Sequence, residues 1–253
     1  MRCVRIGDTE LTRIGLGTNR LTNTPENQAF VRAAADAGVD FIDTAHLYTD
    51  GESELTIGAA FQGSHDGVVV ATKGGFRDGH PDALRAEFEE SLDRLRTDRV
   101  DLYYLHRVDA KVELERSLEA IKEYRDAGQI REVGVSAVSV EQVERARHVL
   151  PIAAVQNRFN SSERASEDVI DYCTEQAILF VPYFPLRGKP SPALEEIASR
   201  HRAPPTQITL AWLLKRSPVV LPIPGTLRLE HVRENLSALE IELGDEEYEA
   251  LSR

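Results

Sequence analysis

The chain has 253 residues, with 30 Lys and Arg against 42 Asp and Glu and a formal net charge of -12. This acidic balance argues against a nucleic-acid or anionic-membrane surface and favours a small-molecule ligand. Cys3 and Cys173 are far apart and lack metal-ligand spacing. We therefore expect a reduced, cytoplasmic protein without disulfides and without a metal site.

No targeting or membrane segment is visible in the sequence. Residues 1–5 lack the apolar region of a signal peptide. The best apolar stretch, residues 177–186, is interrupted by Pro182 and Pro185 and is shorter than the roughly 20 residues of a membrane helix. The sequence thus predicts a soluble protein with no membrane partner, and its short loops and polar surface favour a monomer.

The chain begins with a predicted hairpin, in which residues 3–6 and 10–12 flank a turn at Gly7-Asp8-Thr9. Eight apolar segments that resemble strands then alternate with amphipathic, helix-like segments. The strands are predicted at residues 13–16, 39–42, 68–72, 100–105, 132–135, 153–156, 178–183 and 219–222. The helices are predicted to start near Glu26, Ser53, Pro81, Val112, Val140, Ser166, Pro192 and Leu229, with an additional helix at 206–216 and a short acidic one at 245–253.

Near-continuous apolar strands indicate burial on both faces, as in a parallel sheet covered by helices. Eight units over this length average roughly 31 residues each, which favours a (β/α)8 barrel formed by residues 1–253 as one domain. An open, doubly wound sheet is the alternative. It is less favoured because the turn at Gly15-Leu16-Gly17 leads to no immediate helix and no glycine-rich phosphate fingerprint follows the first strand.

Polar side chains end three successive predicted strands. Asp43 ends the second strand, Lys73 the third and His106 the fourth, and Tyr48 lies just beyond Asp43. The working residues of a parallel barrel lie at these carboxyl ends. Each residue taken alone has an ordinary structural interpretation: a cap, a solvated charge, a core histidine or a packed ring. Their grouping on neighbouring strands instead predicts an acid–base site.

The four groups suit the reduction of a carbonyl. A tyrosine has a pKa of roughly 10, and the ammonium of Lys73 would lower that value by favouring the phenolate. Asp43 would hold Lys73 charged, and His106 would donate a hydrogen bond to the reacting oxygen. No side chain delivers a hydride, so the site requires a nicotinamide cofactor.

Seven strings resemble the motifs of the aldo-keto reductase superfamily, in order and over nearly the whole chain: FIDTAHLY, VVVATK, DLYYLH, REVGVS, AVQNRFN, FVPYFPL and IPGT followed by HVRENL. The C-terminal part is similar to bacterial pyridoxal reductase-like members. The resemblance implies a (β/α)8 barrel, a cofactor that is usually NADPH, and a catalytic tetrad at Asp43, Tyr48, Lys73 and His106. In this tetrad, Tyr48 would be the general acid for carbonyl reduction and the general base for alcohol oxidation.

The same resemblance implies a cofactor site. Ser136 and Gln156 would bind the nicotinamide carboxamide, Tyr183 would stack on the ring, and Pro185 and Leu186 would follow the pyrophosphate. The adenosine end would be surrounded by Gly225, Thr226, Leu227, Arg228, His231, Glu234 and Asn235. Thr18, Asn19, Asp43 and Phe184 complete the predicted set. Without the resemblance, Glu234 and Asn235 would be interpreted as a solvated helix face.

Three departures from the family pattern bear on these expectations. Ala137 follows Ser136 where many members have Asn or Arg, which removes one amide or phosphate contact. Thr49 follows Tyr48 where Gly is usual, which is expected to reshape the loop. Gly225-Thr226 replaces the Lys-Ser pair of strongly NADPH-selective members, so the choice of NADPH over NADH depends on Arg228 and His231.

The sequence therefore favours an enzyme that reduces an aldehyde or ketone with NADPH, with NADH still possible. Pyridoxal, a keto-sugar and a polyketide ketone are open as substrates. A non-catalytic barrel that binds cofactor as a regulatory or redox-sensing subunit is the alternative in another class, and the intact tetrad weighs against it. A phosphate-binding lyase or isomerase barrel would leave Tyr48 and the Gln156-Asn157 pair unexplained.

Overall fold

The computed structural model describes residues 2–62, 65, 67–188 and 190–253. Its first element is the predicted antiparallel hairpin of β1 (Cys3–Ile6) and β2 (Thr9–Thr12). The turn passes through Gly7 at a φ of +51°, in the left-handed region that glycine adopts without strain. Ile6 and Leu11 pack inside the barrel with Phe41 and other strand side chains, so the hairpin plugs one end.

Seven parallel strands follow and pair in chain order: β3 (Leu16–Gly17), β4 (Phe41–Asp43), β5 (Val69–Gly74), β6 (Val100–Leu105), β7 (Ile130–Ser136), β8 (Ala154–Gln156) and β9 (Leu179–Phe180). In their register Gly17 lies opposite Asp43, Lys73 opposite Tyr104, and Ser136 opposite Gln156. The polar residues at the strand ends therefore meet at one rim.

The predicted eighth strand, at 219–222, is not a regular strand, yet its segment closes the barrel. On one side Phe180 donates to the carbonyl of Val219 at 2.9 Å. On the other side Gly15 and Gly17 donate to the carbonyls of Pro222 and Pro224 at 3.0 and 3.3 Å. Leu221 donates back to the carbonyl of Phe180 at 2.9 Å, but Pro222 and Pro224 have no N–H to donate, so this segment forms no continuous ladder.

Ten α-helices lie among the described residues: α1 (Pro25–Asp36), α2 (Glu52–Phe61), α3 (Pro81–Leu95), α4 (Leu114–Asp126), α5 (Val140–Val149), α6 (Glu167–Glu175), α7 (Pro192–His201), α8 (Pro205–Arg216), α9 (Leu229–Ser237) and α10 (Asp245–Leu251). Nearly all start within one residue of the prediction, and side-chain caps mark the starts of α1, α5 and α7; the Ser191 hydroxyl, for example, accepts from the N–H of Leu194. Helix α4 starts two residues late, since the N–H of Val112 is bound in a turn to the carbonyl of Asp109.

A second core layer packs the helices on the outside of the strands. Trp212 of α8 is 1% exposed and stacks on Phe159 with ring centres 5.6 Å apart. Its indole N–H donates to the Ser252 hydroxyl beyond α10, which ties the C-terminal helices to the barrel. The (β/α)8 barrel with an N-terminal hairpin and extra C-terminal helices is thus confirmed. No helix in the described ranges combines the length and the apolar character needed to cross a membrane.

Candidate active site

Two neighbouring strands place a buried ion pair at the carboxyl rim of the barrel. Asp43 is the last residue of β4 and Lys73 lies near the end of β5. The Lys73 Nζ atom donates to Asp43 Oδ1 at 2.8 Å and to the carbonyl of Thr44 at 2.5 Å. Lys73 is fully buried and Asp43 is 1% exposed. Such burial of two charges requires the mutual pairing that the geometry provides.

A third side chain reaches this pair from across the barrel. Gln156 ends β8, and its Nε2 amide donates to Asp43 Oδ2 at 2.7 Å. Both carboxylate oxygens of Asp43 therefore have a donor. Burial raises the pKa of Asp43, an effect that Lys73 opposes. Burial alone would lower the pKa of Lys73, but the Asp43 charge and Tyr48 outweigh it and raise that pKa, so the ammonium keeps its proton.

Tyr48 follows β4 in a short 3-10 turn (Tyr48–Gly51), which folds its ring back toward the ion pair. The Lys73 Nζ atom lies 5.0 Å from the ring centre. Burial nevertheless raises the pKa of Tyr48 above its ordinary value, because desolvation of the phenolate exceeds the lowering by Lys73. The expectation of a lowered pKa is therefore wrong for this structure, and Tyr48 is a protonated phenol at neutral pH.

Strained backbone follows three site residues. Thr49, Ala137 and Phe184 have φ values of 49°, 56° and 53°, and they come directly after Tyr48, Ser136 and Tyr183. Left-handed conformations are unfavourable for residues with a side chain, and such strain concentrates at functional sites. Thr49 thus adopts a left-handed conformation that glycine would reach at lower cost. Its hydroxyl donates to the carbonyl of Leu21 at 2.7 Å, which compensates part of the cost.

His106 follows β6 and faces Tyr48 across the site. The two rings meet edge to face with centres 5.9 Å apart, and Phe76 packs on the other side of the imidazole at 4.9 Å. Burial, with a smaller contribution from Lys73, lowers the pKa of His106 to about 2, so the ring is neutral. Its buried Nδ1 atom has no hydrogen-bond partner among the described residues. An unpartnered acceptor costs less than an unpartnered donor, which assigns the proton to Nε2.

A cavity of about 410 Å³ opens at this rim, and most predicted site residues line it. Those residues are Thr18, Asn19, Asp43, Tyr48, His106, Ser136, Gln156, Tyr183, Phe184, Pro185 and Gly225. Lys73 lies behind the wall, beneath Tyr48. The hydrophobic and aromatic lining with a few convergent polar groups is typical of a small-molecule site.

Apart from Gly225, the residues predicted for the adenosine end lie outside this cavity, together with Leu186. They belong to the loop after Gly225 and to helix α9: Thr226, Leu227, Arg228, His231, Glu234 and Asn235. The Thr226 hydroxyl accepts from the backbone N–H of Arg228 at 3.1 Å and lies 3.3 Å from His231 Nδ1. Arg228 pairs with Glu230 at 2.8 Å. Asn235 is buried, so the solvated-face interpretation is wrong for it, whereas Glu234 is exposed.

Seven lining residues were not among the predicted site residues: Gly17, Leu47, Phe76, Arg107, Ala137, Arg158 and Ile223. All seven lie within three residues of a predicted one, so closeness in the sequence was a signal, but it does not give the direction of a side chain. Gly17 is required by close packing, since a Cβ there would meet the carbonyl oxygen of Ile223 at 2.8 Å. Asn157 was also missed; its amide bonds both backbone groups of Val138 and fixes the loop after β7.

A second buried carboxylate supports the Tyr48 loop from behind. Glu54 of α2 is fully buried and accepts from the Thr72 hydroxyl at 2.5 Å, next to Lys73. It lies 3.5 Å from the Arg94 guanidinium, which also donates to the carbonyl of His46 at 3.0 Å. These contacts tie the segment before Tyr48 to helices α2 and α3.

Known proteins match the chain over nearly its full length. A family model described as the aldo/keto reductase family matches residues 13–191 and 189–253. Pyridoxine 4-dehydrogenase of Escherichia coli is 31% identical over 268 residues, which cover 95% of this chain and 94% of the relative.

Solved structures give the same result. A thermostable aldo-keto reductase in complex with the inhibitor epalrestat has a TM-score of 0.92 at 34% identity, covering 100% of this chain and 99% of that one. An aldo/keto reductase from Klebsiella pneumoniae in complex with NADP and acetate has a TM-score of 0.89 at 30% identity, covering 99% and 94%. By family model, sequence and fold, the chain belongs to the aldo/keto reductase family of oxidoreductases.

Proposed function

We propose that this protein reduces an aldehyde or ketone to an alcohol with NADPH, and that Tyr48 is the general acid. The observation that carries the proposal is the buried Lys73–Asp43 ion pair beneath Tyr48, at the base of a cavity that His106 also lines. Burying an ion pair at this depth costs free energy, and a role in stabilising the phenolate form of Tyr48 accounts for its presence.

The residues present fit a nicotinamide nucleotide. The Ser136 side chain is 3% exposed at the cavity wall, and no described residue forms a hydrogen bond with its hydroxyl. It lies beside Gln156 in the register of β7 and β8, so two polar groups are available to a carboxamide. The half-buried ring of Tyr183 supplies a flat wall for stacking. When bound, the reduced nicotinamide supplies a hydride to the carbonyl carbon.

The side chains complete the reaction by holding and moving one proton. The substrate carbonyl oxygen accepts hydrogen bonds from the Tyr48 hydroxyl and from Nε2 of His106, which polarises the carbonyl. As the hydride reaches carbon, the Tyr48 proton passes to this oxygen and the alcohol forms. The Lys73 ammonium stabilises the resulting phenolate, and Asp43 holds the ammonium in place. In the reverse direction the phenolate accepts the proton of the alcohol.

The preference for NADPH is proposed from the loop after the closing segment. Arg228 caps the N-terminus of α9, and its side chain is 65% exposed. A 2′-phosphate there would be favoured by the guanidinium and by the helix N-terminus. Glu230 competes for the same guanidinium at 2.8 Å. Because Glu230 competes with the 2′-phosphate, NADPH is preferred over NADH only in part, and NADH is also used.

A panel of aldehydes and ketones tests the function directly. Purified protein should consume NADPH with some of them, and the alcohol should form in a one-to-one ratio to the NADPH oxidised. Consumption of NADPH without alcohol, or no consumption with any carbonyl, would contradict the proposal. The latter result together with tight NADPH binding would favour the regulatory alternative.

A further inference from the structure

One cation in the cavity wall forms no ion pair with a described residue, although the carboxylate of Asp109 lies near enough to interact with its charge. Arg107 follows His106 and lines the cavity, and no carboxylate of a described residue lies within ion-pair distance of its guanidinium. Asp109 is nearby, but its two oxygens accept from the N–H groups of Lys111 and Gly79 at 2.9 and 3.1 Å. In a chain with a net charge of -12, an unpaired cation at a cavity is available for an anionic ligand.

An aromatic ring holds this cation near the reacting centre. The Arg107 guanidinium carbon lies 4.7 Å from the centre of the Phe76 ring, and that ring lies 4.9 Å from the centre of the His106 ring. Phe76 is 39% exposed, which is unusual for a large apolar side chain at this rim. The stack fixes the orientation of the guanidinium. By these two contacts, Arg107 is at most about 10 Å from the His106 ring centre.

The second arginine in the wall is already neutralised. Arg158 pairs with Glu163 at 2.8 Å and lies over the rings of Tyr183 and Phe184 at 5.8 and 5.2 Å. It follows β8, on the side of the cavity proposed for the nicotinamide. Arg107 and Phe76 follow β6 and β5, on the part of the rim that the proposed cofactor contacts leave free. The free positive charge therefore faces the substrate side.

We propose that the substrate is an aldehyde or ketone that also carries a carboxylate, and that Arg107 binds this carboxylate. The inference rests on the proposed carbonyl reduction. A guanidinium matches a carboxylate with two parallel hydrogen bonds and one compensating charge. A phosphate would bring a second negative charge, and the other arginine among the described lining residues, Arg158, is already paired with Glu163. The upper limit of about 10 Å between the Arg107 guanidinium carbon and the His106 ring centre is compatible with a carbonyl and a carboxylate separated by about one six-membered ring.

The test compares 4-carboxybenzaldehyde with its neutral methyl ester. The ester group withdraws electrons more strongly, so the ester is the more reducible aldehyde, and a preference for the acid reports recognition by the protein. Wild-type protein should have a higher kcat/KM for the acid, and Arg107→Gln should lower the acid-to-ester ratio by about 10- to 100-fold, as expected for a charge-assisted hydrogen bond. Arg107→Lys, which keeps the charge without the planar fork, should lose less of the ratio.

Two variants serve as controls. Arg77→Gln removes the same charge from the neighbouring loop, outside the cavity, and should leave the acid-to-ester ratio unchanged. Arg158→Gln tests whether the other arginine of the cavity wall determines the acid-to-ester ratio instead. A ratio that falls in Arg158→Gln and not in Arg107→Gln would overturn the assignment. So would a ratio that falls equally in Arg77→Gln and Arg107→Gln. So would a larger effect of Arg107→Gln on 4-formylphenyl phosphate than on the carboxylate.

Binding distinguishes failure of this inference from failure of the proposed function. Turnover of the ester with no preference for the acid would refute the carboxylate site and leave carbonyl reduction intact. No turnover of either aldehyde, together with no turnover of any carbonyl in the panel, would refute the proposed function. In that case, saturable calorimetric binding of 4-carboxybenzyl alcohol that is lost in Arg107→Gln would still support the carboxylate site, and equal binding by both proteins would overturn it.

Discussion

Replacing Lys73 with Met is expected to destabilise the fold by an amount that grows with pH. The ammonium is fully buried and holds both Asp43 and the carbonyl of Thr44. Methionine fills similar space without a charge, so the variant leaves the Asp43 carboxylate buried with Gln156 as its remaining donor. Removing one partner of a buried ion pair costs about 3 to 5 kcal/mol.

Protonation of Asp43 limits this cost and makes it depend on pH. Burial already raises the pKa of Asp43, and the loss of Lys73, which lowers that pKa, raises it further. Keeping neutral a carboxyl group with an unfolded pKa of about 3.9 costs about 4 kcal/mol at pH 7 and about 1.5 kcal/mol at pH 5. Between these values the folded variant binds one more proton than the unfolded chain. Its stability therefore falls by about 1.4 kcal/mol for each unit that the pH rises.

Urea unfolding followed by circular dichroism, at about pH 5, 6 and 7, measures the effect. The double variant Asp43→Asn/Lys73→Met is the matched control, because it has the same methionine and no carboxyl group. The single variant should lose stability relative to the double variant by about 1.4 kcal/mol per pH unit. A difference that stays constant across the three pH values would refute the reasoning, since Asp43 would then not titrate in the folded variant.

Three further predictions concern the site. Carbonyl reduction should lose no rate between about pH 8 and about pH 5 through histidine protonation, because the pKa of His106 is about 2; a rate that falls with a midpoint near the ordinary histidine pKa would contradict this. Thr49→Val should be at least about 1 kcal/mol less stable to urea than Thr49→Gly, since valine keeps the left-handed strain and loses the hydroxyl, and equal stabilities would be the opposing result. Arg228→Ala should raise the dissociation constant of NADPH, measured by fluorescence titration, about tenfold more than that of NADH. Equal losses for both cofactors would show that Arg228 does not bind the 2′-phosphate.

The grouping of the site at one rim could be predicted from the sequence because parallel strands share a direction. Once Asp43, Lys73 and His106 are assigned to strand ends, the barrel brings them to the same rim. The pKa of Tyr48 could not be predicted in the same way. Its sign depends on how deeply the phenol is buried relative to its distance from Lys73, and neither quantity is visible in a one-dimensional pattern.

Other features depended on local geometry that the sequence does not specify. The apolar segment at 219–222 suggested an eighth strand, but Pro222 has no N–H to donate, and the segment closes the barrel through a few hydrogen bonds without a regular ladder. Phe76 and Arg107 were not predicted to line the cavity, because closeness in the sequence to Lys73 or His106 does not give the direction of a side chain. The residues predicted for the adenosine end were assigned by resemblance alone, and apart from Gly225 they lie beyond the cavity, in the loop before α9 and on α9 itself.

The transfer of a proton from Tyr48 is the central claim, and Tyr48→Phe tests it most directly. NADPH oxidation should be measured with a reducible aldehyde at saturating cofactor, together with NADPH affinity by fluorescence titration. Tyr124→Phe, which removes a surface hydroxyl bonded to Glu89, is the matched control. We predict that Tyr48→Phe loses at least about 100-fold in kcat, as expected for removal of a general acid, while NADPH affinity stays within about threefold of wild type. Turnover by Tyr48→Phe equal to that of Tyr124→Phe would contradict the account.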